Sequence, residues 1–308
     1  NLPSAGFYRI KGNTSGNYLA AGFANSKFAM SSATDATTIF YFDGTKLTNF
    51  GSGLCNGMTA SAWAWTTGDA ASTVTFSDGR TDGGYAIKSN NAYFYDGGTY
   101  ADRGSTLDAN ARYRSWYLEE VMQLPVSLHK GGDGNYYATL CLPYDASLAG
   151  GYAYTLTKNG TELTLSDEMK FINAGTPVLL INDQASATVI IESSSTPAEV
   201  VSGGTLVGTY LPIAFDGATD YVLGTDGSKV GFFHWDGTTL KGFRAYIAGE
   251  ADEAGVKGYY LNNDIATQIR ELMDANASKG AYYDLSGRRV AQPTRGLYIV
   301  NGKKVAVK

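Results

Sequence analysis

The sequence predicts an all-β protein, and three observations carry that prediction. Pairs of Asp-Gly or Asn-Gly recur along the chain, mostly beside β-branched or aromatic runs. Such pairs tolerate the positive φ that a tight hairpin turn requires. They predict hairpins at Asp43-Gly44, Asp78-Gly79, Asp96-Gly97, Asn159-Gly160, Asp216-Gly217, Asp226-Gly227, Asp236-Gly237 and Asn301-Gly302. Gly and Tyr are abundant, at 38 and 22 of 308 residues, whereas Pro numbers only 7. The charged fraction of 17% lies below the usual ~25%. This composition is typical of a β-rich extracellular protein, and the length suffices for two domains and a small third.

Residues 1–122 repeat a pattern of three short strands, with a period of roughly 36–42 residues. The first strands are Phe7-Tyr8-Arg9-Ile10, Leu47-Thr48-Asn49-Phe50 and Tyr85-Ala86-Ile87-Lys88. The second elements are Asn17-Tyr18-Leu19, Gly53-Leu54-Cys55 and Ala92-Tyr93-Phe94, and the third are Ile39-Phe40-Tyr41-Phe42, Val74-Thr75-Phe76 and Trp116-Tyr117-Leu118-Glu119. Three repeats of short strands without a helical pattern predict a closed barrel with threefold symmetry.

The opening of this region resembles that of ricin-type β-trefoil lectins. The resemblance begins in residues 6–19, which read Gly-Phe-Tyr-Arg-Ile-Lys-Gly-Asn-Thr-Ser-Gly-Asn-Tyr-Leu, and it covers about 120 residues. It implies a β-trefoil-like domain over 1–122. The Gln-x-Trp signature of those lectins is absent from all three repeats, so the resemblance transfers no sugar site.

Residues 123–262 are predicted to form a β-sandwich, because short strands follow one another at intervals of about 8–12 residues. The runs that carry this prediction are 136–144, 153–157, 161–165, 172–181 and 187–191. Their order, with Tyr221-Val222-Leu223-Gly224 and Phe243-Arg244-Ala245-Tyr246 after them, resembles a module found near the C-termini of secreted Bacteroidetes surface proteins.

Residues 263–308 are predicted to hold one helix and a small strand module. Residues 264–274 have Asp264 as a candidate N-cap and apolar Ile265, Ile269 and Leu272 on one face. The tail over 281–308 resembles the C-terminal domains, including type IX sorting signals, of secreted Bacteroidetes proteins. The resemblance implies a secreted or cell-surface location. Since the chain starts at Asn1 without Met, we expect a mature form or an excised piece.

The sequence shows no motif for catalysis, a cofactor or a metal. The two histidines, His129 and His234, lie in no His-Glu-x-x-His arrangement, and Gly-x-Ser-x-Gly and zinc-spaced cysteine pairs are absent. Cys55 and Cys141 are expected to be buried free thiols. The net charge of −5 argues against a nucleic-acid partner, and no apolar run approaches the ~20 residues of a membrane span.

Aromatic residues give the strongest indication of a binding site. Trp63 and Trp65 alternate on one predicted strand, which puts both indoles on one face, and Tyr93 and Tyr95 share a face beside Asp96. Flat rings stack on the apolar C–H faces of sugars, and polar groups bind the hydroxyls. These five residues are the candidate glycan site, with core packing as the alternative. Two further tryptophans, Trp116 and Trp235, lie in dense apolar runs and are expected in the core.

Three functions are compatible with these observations. The first is a secreted or cell-surface accessory protein that binds glycans or host surface components, as part of a larger enzyme or alone. The second is a spacer or anchor without a ligand, and exposure of Trp63 and Trp65 would separate it from the first. The third is a stand-alone hydrolase with a pair of carboxylates, which needs only two acids about 5–10 Å apart.

Overall fold

The all-β prediction is confirmed by the structure, a computed structural model. It describes the chain except residues 1, 59–62, 79, 108–111, 203, 251–254, 263–281, 284–288, 291–295, 301–302 and 308. Apart from two 3₁₀ turns, Ala36–Thr38 and Arg112–Arg114, the regular elements of the described residues are β-strands. By compactness the chain divides into residues 1–261 and residues 262–308. The described part contains no helix with the length and apolar character needed to cross a membrane.

The first part of the chain holds twelve strands in three groups of four. They are β1 Gly6–Gly12, β2 Tyr18–Ala24, β3 Lys27–Ser31, β4 Phe40–Phe42, β5 Leu47–Asn49, β6 Cys55–Met58, β7 Trp63–Thr66, β8 Val74–Ser77, β9 Ala86–Ser89, β10 Ala92–Asp96, β11 Tyr100–Gly104 and β12 Trp116–Glu120. The three elements predicted for each repeat are all present. The strand predicted at Trp63 and Trp65 is β7, whereas sequence reasoning missed β3 and β11, the third strands of the other two groups.

Six of these strands close into a ring. Strand β1 pairs antiparallel with β4 and β12, β4 pairs with β5, and β8 pairs with β9. The ring closes where the Val74 N–H donates to the Thr45 carbonyl at 2.6 Å and where Tyr85 and Trp116 form a β-bridge. The remaining strands form three hairpins, β2–β3, β6–β7 and β10–β11. A six-stranded barrel with three hairpins is the β-trefoil arrangement that the resemblance implied.

Seventeen further strands follow, up to residue 261. They are β13 Gln123–Ser127, β14 His129–Lys130, β15 Tyr136–Leu140, β16 Ala146–Ala149, β17 Tyr152–Tyr154, β18 Leu156–Asn159, β19 Glu162–Leu165, β20 Phe171–Ile172, β21 Val178–Asn182, β22 Ser186–Ile191, β23 Val207–Thr209, β24 Ile213–Ala214, β25 Val222–Asp226, β26 Lys229–Phe233, β27 Thr239–Leu240, β28 Arg244–Tyr246 and β29 Gly258–Leu261.

Two four-stranded sheets among them form the predicted sandwich. Their strand orders are β13-β22-β16-β20 and β14-β15-β21-β17. Leu124 and Val189 of the first sheet share one buried core with Leu140 and Leu180 of the second, as facing sheets do. A five-stranded sheet, β18-β19-β29-β26-β25, and two ribbons, β23–β28 and β24–β27, complete this region.

The Asp-Gly and Asn-Gly pairs explain some of the hairpins but not others. Asp43-Gly44 separates β4 from β5, and Asn159-Gly160 separates β18 from β19, as predicted. The hairpin expected at Asp236-Gly237 is wrong, because β26 ends at Phe233 and β27 pairs with β24 instead. The turn between β9 and β10 uses Asn90 and Asn91, both at positive φ, which a search for pairs with Gly does not find.

The barrel and the sandwich share one aromatic core. The ring of Phe7 on β1 lies 4.9 Å from Tyr41, 5.8 Å from Phe50, 6.1 Å from Tyr144 and 5.6 Å from Phe243, between centroids. Since Phe7, Tyr41 and Phe50 belong to the barrel and the other two to the sandwich, the packed rings join the two parts. Whether they fold as separate domains divided between residues 122 and 123 stays a prediction.

A backbone contact reinforces the same junction. The Gly242 N–H donates to the Gly53 carbonyl at 2.8 Å. Gly53 has a φ of +66°, and a Cβ there would lie 2.6 Å from the Cβ of Lys241. Phe243, which follows, is buried with a φ of +60°, a conformation that a bulky residue adopts only where its surroundings enforce it.

Residues 262–308 form the second unit. Its strands are β30 Tyr282–Tyr283, β31 Arg289–Val290, β32 Gly296–Val300 and β33 Lys303–Val307, in the order β31-β30-β32-β33. The antiparallel pairing of β32 with β33 is that of the hairpin predicted at Asn301-Gly302. The helix predicted over 264–274 lies outside the described residues.

Candidate functional site

Trp63 and Trp65 lie side by side on β7 and are both half-buried. The Trp63 ring lies 4.5 Å from Phe28 and 5.4 Å from Phe94, and the Trp65 ring lies 4.5 Å from Phe28 and 6.0 Å from Phe40, between centroids. Part of each indole therefore belongs to the barrel core and part faces solvent. The Trp65 Nε1–H donates to the Gly22 carbonyl at 3.0 Å, which fixes the orientation of that indole.

Phe23 extends this aromatic surface, and sequence reasoning missed it. The side chain is 51% exposed, and its ring lies 6.5 Å from Trp65 and 6.0 Å from Phe28. The register of β2 shifts between Leu19 and Phe23, and Gly22 has a φ of +92°. A bulge re-aims side chains, and a Gly inside a strand pattern is the sequence signal that marks one.

Arg103 on β11 adds a cation to this surface. Its guanidinium carbon lies 5.8 Å from the centre of the Trp63 ring, within range of a cation–π interaction. We call Phe23, Trp63, Trp65 and Arg103 the cap cluster. The members come from β2, β7 and β11, one strand from each of the three hairpins.

Tyr93, Tyr95 and Asp96 have other neighbours. The Tyr95 ring contacts Tyr113 at 5.6 Å between centroids, and Lys88 Nζ lies 5.6 Å from the centre of the Tyr93 ring. These contacts place the two tyrosines in surroundings of their own, rather than in the cap cluster.

The buried carboxylate of Asp96 holds a loop. It accepts hydrogen bonds from the backbone N–H groups of Thr14, Ser15 and Gly98 at 3.0, 2.6 and 2.9 Å. Such bonds satisfy the carboxylate within the fold, and this environment favours a structural role. A part for Tyr93, Tyr95 and Asp96 in glycan binding stays a prediction.

The two other tryptophans differ from one another. Trp116 is fully buried, as expected, and its Nε1–H donates to the Phe94 carbonyl at 3.1 Å. The expectation that Trp235 is a core residue is wrong, because this side chain is 43% exposed. The strand β26 ends at Phe233, so the apolar run that suggested burial does not continue as a strand to Trp235.

The two cysteine thiols are poorly placed to act as nucleophiles. Cys55 and Cys141 are buried free thiols, as expected. Burial raises the pKa of Cys55 to about 11 and that of Cys141 to about 12, so both stay protonated near neutral pH and are weak nucleophiles. The His234 ring packs on Tyr221 at 4.1 Å between centroids. Among the described residues, no three His, Cys, Asp or Glu side chains lie close enough together to hold a metal ion.

Comparison with known proteins adds little. No protein-family model and no curated protein matches the chain. Among solved structures, the crystal structure of Cry35Ab1 is similar to 89% of this chain over 97% of its own length, with 8% sequence identity and a TM-score of 0.31. A similarity that low transfers neither a fold assignment nor a function.

Proposed function

We propose that this chain is a binding protein, secreted or held at the cell surface, that recognises glycans through the cap cluster and performs no catalysis. The observation that carries the proposal is the exposed aromatic surface formed by Phe23, Trp63 and Trp65. Bulky aromatic side chains gain free energy by burial, and here they stay partly in solvent. A ligand with an apolar face would cover them.

The chemistry of the cluster suits a sugar. The C–H face of a pyranose stacks on an aromatic ring, and the Arg103 guanidinium beside Trp63 supplies N–H donors for hydroxyl groups. The half-buried indoles are held by Phe28 beneath them, so a ligand would meet a surface that is already ordered. Preorganisation of this kind reduces the entropy lost on binding.

A spacer role is the second candidate, and the junction around Phe7 and Phe243 favours it. The aromatic rings packed between the barrel and the sandwich hold the two parts together, as a rigid spacer requires. The two roles are compatible in an accessory part of a larger surface enzyme. The exposed fraction of Phe23 favours binding, because a spacer gains nothing from an uncovered aromatic ring.

The test is a glycan-array screen of the purified protein with the variants Phe23→Ala and Phe171→Ala. Phe171 is 46% exposed and lies on β20 of the sandwich, so its replacement is a matched control. We expect the parent and Phe171→Ala to bind the same glycans, and Phe23→Ala to lose at least about tenfold in affinity. Phe23 is preferable to Trp63 or Trp65 as the first target because it contributes less to the core.

Absence of binding by the folded parent to any glycan would favour the spacer role. Equal glycan affinity of Phe23→Ala and the parent would show that the binding site lies outside the cap cluster.

A further inference from the structure

A cavity of about 320 Å³ lies in the sandwich region, and none of its lining residues belongs to the cap cluster. It opens where β14 and β15 of one sandwich sheet meet β25, β27 and β28. Its lining includes Ser127, His129, Thr139, Val222, Leu223, Trp235, Lys241 and Arg244. The volume is at the lower end of the range of small-molecule sites, which combine apolar walls with a few convergent polar groups.

The charged groups of this cavity are of one sign. Arg244 and Lys241 line it together with His129, and no Asp or Glu of the described residues does. The whole chain carries a net charge of −5, so a cavity with cationic side chains alone stands apart from its surroundings. Such a cavity selects for an anion.

Arg244 is the most deeply buried of these cations. Most of its side chain is buried, and burial lowers the pKa of the guanidinium. Within the described part of the chain, its hydrogen bond goes to the Thr139 carbonyl at 3.3 Å, and no carboxylate forms a salt bridge with it. A guanidinium has five N–H donors, and burying one without an anionic partner costs free energy. A bound carboxylate would supply the missing partner.

Trp235 gives the cavity an aromatic wall whose position is fixed. Its ring packs on Phe215 at 5.9 Å between centroids. It also lies over Gly237, where a Cβ would come within 2.1 Å of the indole. The 43% exposed indole is therefore held by its neighbours, and only Gly at position 237 leaves room for it.

We propose that this cavity binds an acidic sugar unit, with the sugar carboxylate on the guanidinium of Arg244 and the sugar's C–H face on the indole of Trp235. A carboxylate and a guanidinium form paired, charge-assisted hydrogen bonds, and the indole is a stacking surface for the ring. The hydroxyl groups of Ser127 and Thr139 lie in the same lining and suit the sugar hydroxyls. This site is independent of the glycan binding proposed for the cap cluster.

The experiment is a titration of the whole chain with sodium glucuronate, glucose and sodium acetate, followed by saturation-transfer NMR and calorimetry. We expect glucuronate to bind at least about tenfold more tightly than either glucose, which lacks the carboxylate, or acetate, which lacks the ring. Arg244→Gln and Trp235→Ala should each weaken glucuronate binding at least about tenfold. Phe171→Ala and Phe23→Ala should leave it unchanged, and the latter separates this site from the cap cluster.

Equal affinity for glucuronate and glucose would overturn the proposal, as would undiminished glucuronate binding by Trp235→Ala. Absence of binding by the folded parent would do the same. Circular dichroism checks each variant. If Arg244→Gln does not fold, the test uses Trp235→Ala and Lys241→Ala, because the native side chains at both positions are exposed. Unchanged glucuronate binding by both variants would contradict the proposal.

Discussion

The barrel has two aromatic surfaces, one covered by the sandwich and the other partly exposed to solvent. Phe7 and Tyr41 on β1 and β4, together with Phe50, are almost fully buried because Tyr144 and Phe243 of the sandwich cover them. Phe23 on β2, by contrast, is 51% exposed, and Trp63 and Trp65 are half-buried beside it. Aromatic content alone therefore does not identify a binding surface. What distinguishes the two is whether another part of the chain covers the rings.

The largest expected loss of stability comes from removing an aromatic ring from the covered surface. Phe7→Ala removes a ring that contacts four others and leaves a cavity between the barrel and the sandwich. We expect the free energy of unfolding to fall by about 3–5 kcal/mol, measured by urea denaturation.

The exposed Phe171→Ala is the control for this change and should shift the free energy of unfolding by no more than about 0.5 kcal/mol. A loss below about 1 kcal/mol in Phe7→Ala would show that the covered aromatic surface adds little to stability.

The backbone contact at the junction gives a smaller effect. Gly53→Ala puts a methyl group against Lys241 and also requires a positive φ of an Ala. Gly16 has a similar φ of +73°, but open space surrounds the position of its Cβ. We expect Gly16→Ala to cost about 1 kcal/mol for the backbone alone, and Gly53→Ala to cost about 1–3 kcal/mol more for the overlap. Equal costs in urea denaturation would mean that the loop of residues 241–242 yields easily.

The smallest expected change in stability comes from an ion pair between two of the barrel's hairpins. Lys27 on β3 forms an ion pair with Asp102 on β11. Burial acts to raise the pKa of Asp102, but the hydrogen bonds from Lys27 and the Arg103 N–H outweigh it, and the pKa lies below the ordinary value of 3.8. A depressed carboxyl pKa stabilises the fold above the unfolded pKa, and the stabilisation is lost as pH falls through the folded one.

Asp102→Asn should therefore lower the urea midpoint slightly at pH 7, and the gap from the parent should close as pH falls below about 4. Asp69→Asn, at an exposed position, is the control. A gap that persists unchanged at pH 3 would contradict the assigned role of this ion pair.

Repetition and turn chemistry predicted the barrel well, because both are local signals. The first strands of the three repeats, at Phe7, Leu47 and Tyr85, recur at one period. The pair Asp43-Gly44 predicts the hairpin that joins β4 and β5. Strand β11, which reads Tyr-Ala-Asp-Arg-Gly, was missed because it carries little of the alternation that marks a half-buried strand.

The sites were less predictable, because they depend on what covers each side chain. Trp63 and Trp65 were identified from their spacing, but Phe23 is exposed only because of the bulge near Gly22. Trp235 looked like a core residue by its apolar neighbours and lies in a cavity wall instead. Arg244 carried no signal in the sequence, since only tertiary packing leaves its guanidinium without a carboxylate among the described residues.

Fluorine NMR of protein labelled with 5-fluorotryptophan shows which tryptophans a bound glycan contacts. The chain has four tryptophans, and Trp→Phe variants assign each resonance. Titration with a neutral glycan selected on the array should shift the resonances of Trp63 and Trp65 and leave that of the buried Trp116 in place. A shift confined to Trp235, or none of the four resonances moving at saturation, would contradict the assignment of the cap cluster as the glycan-binding surface.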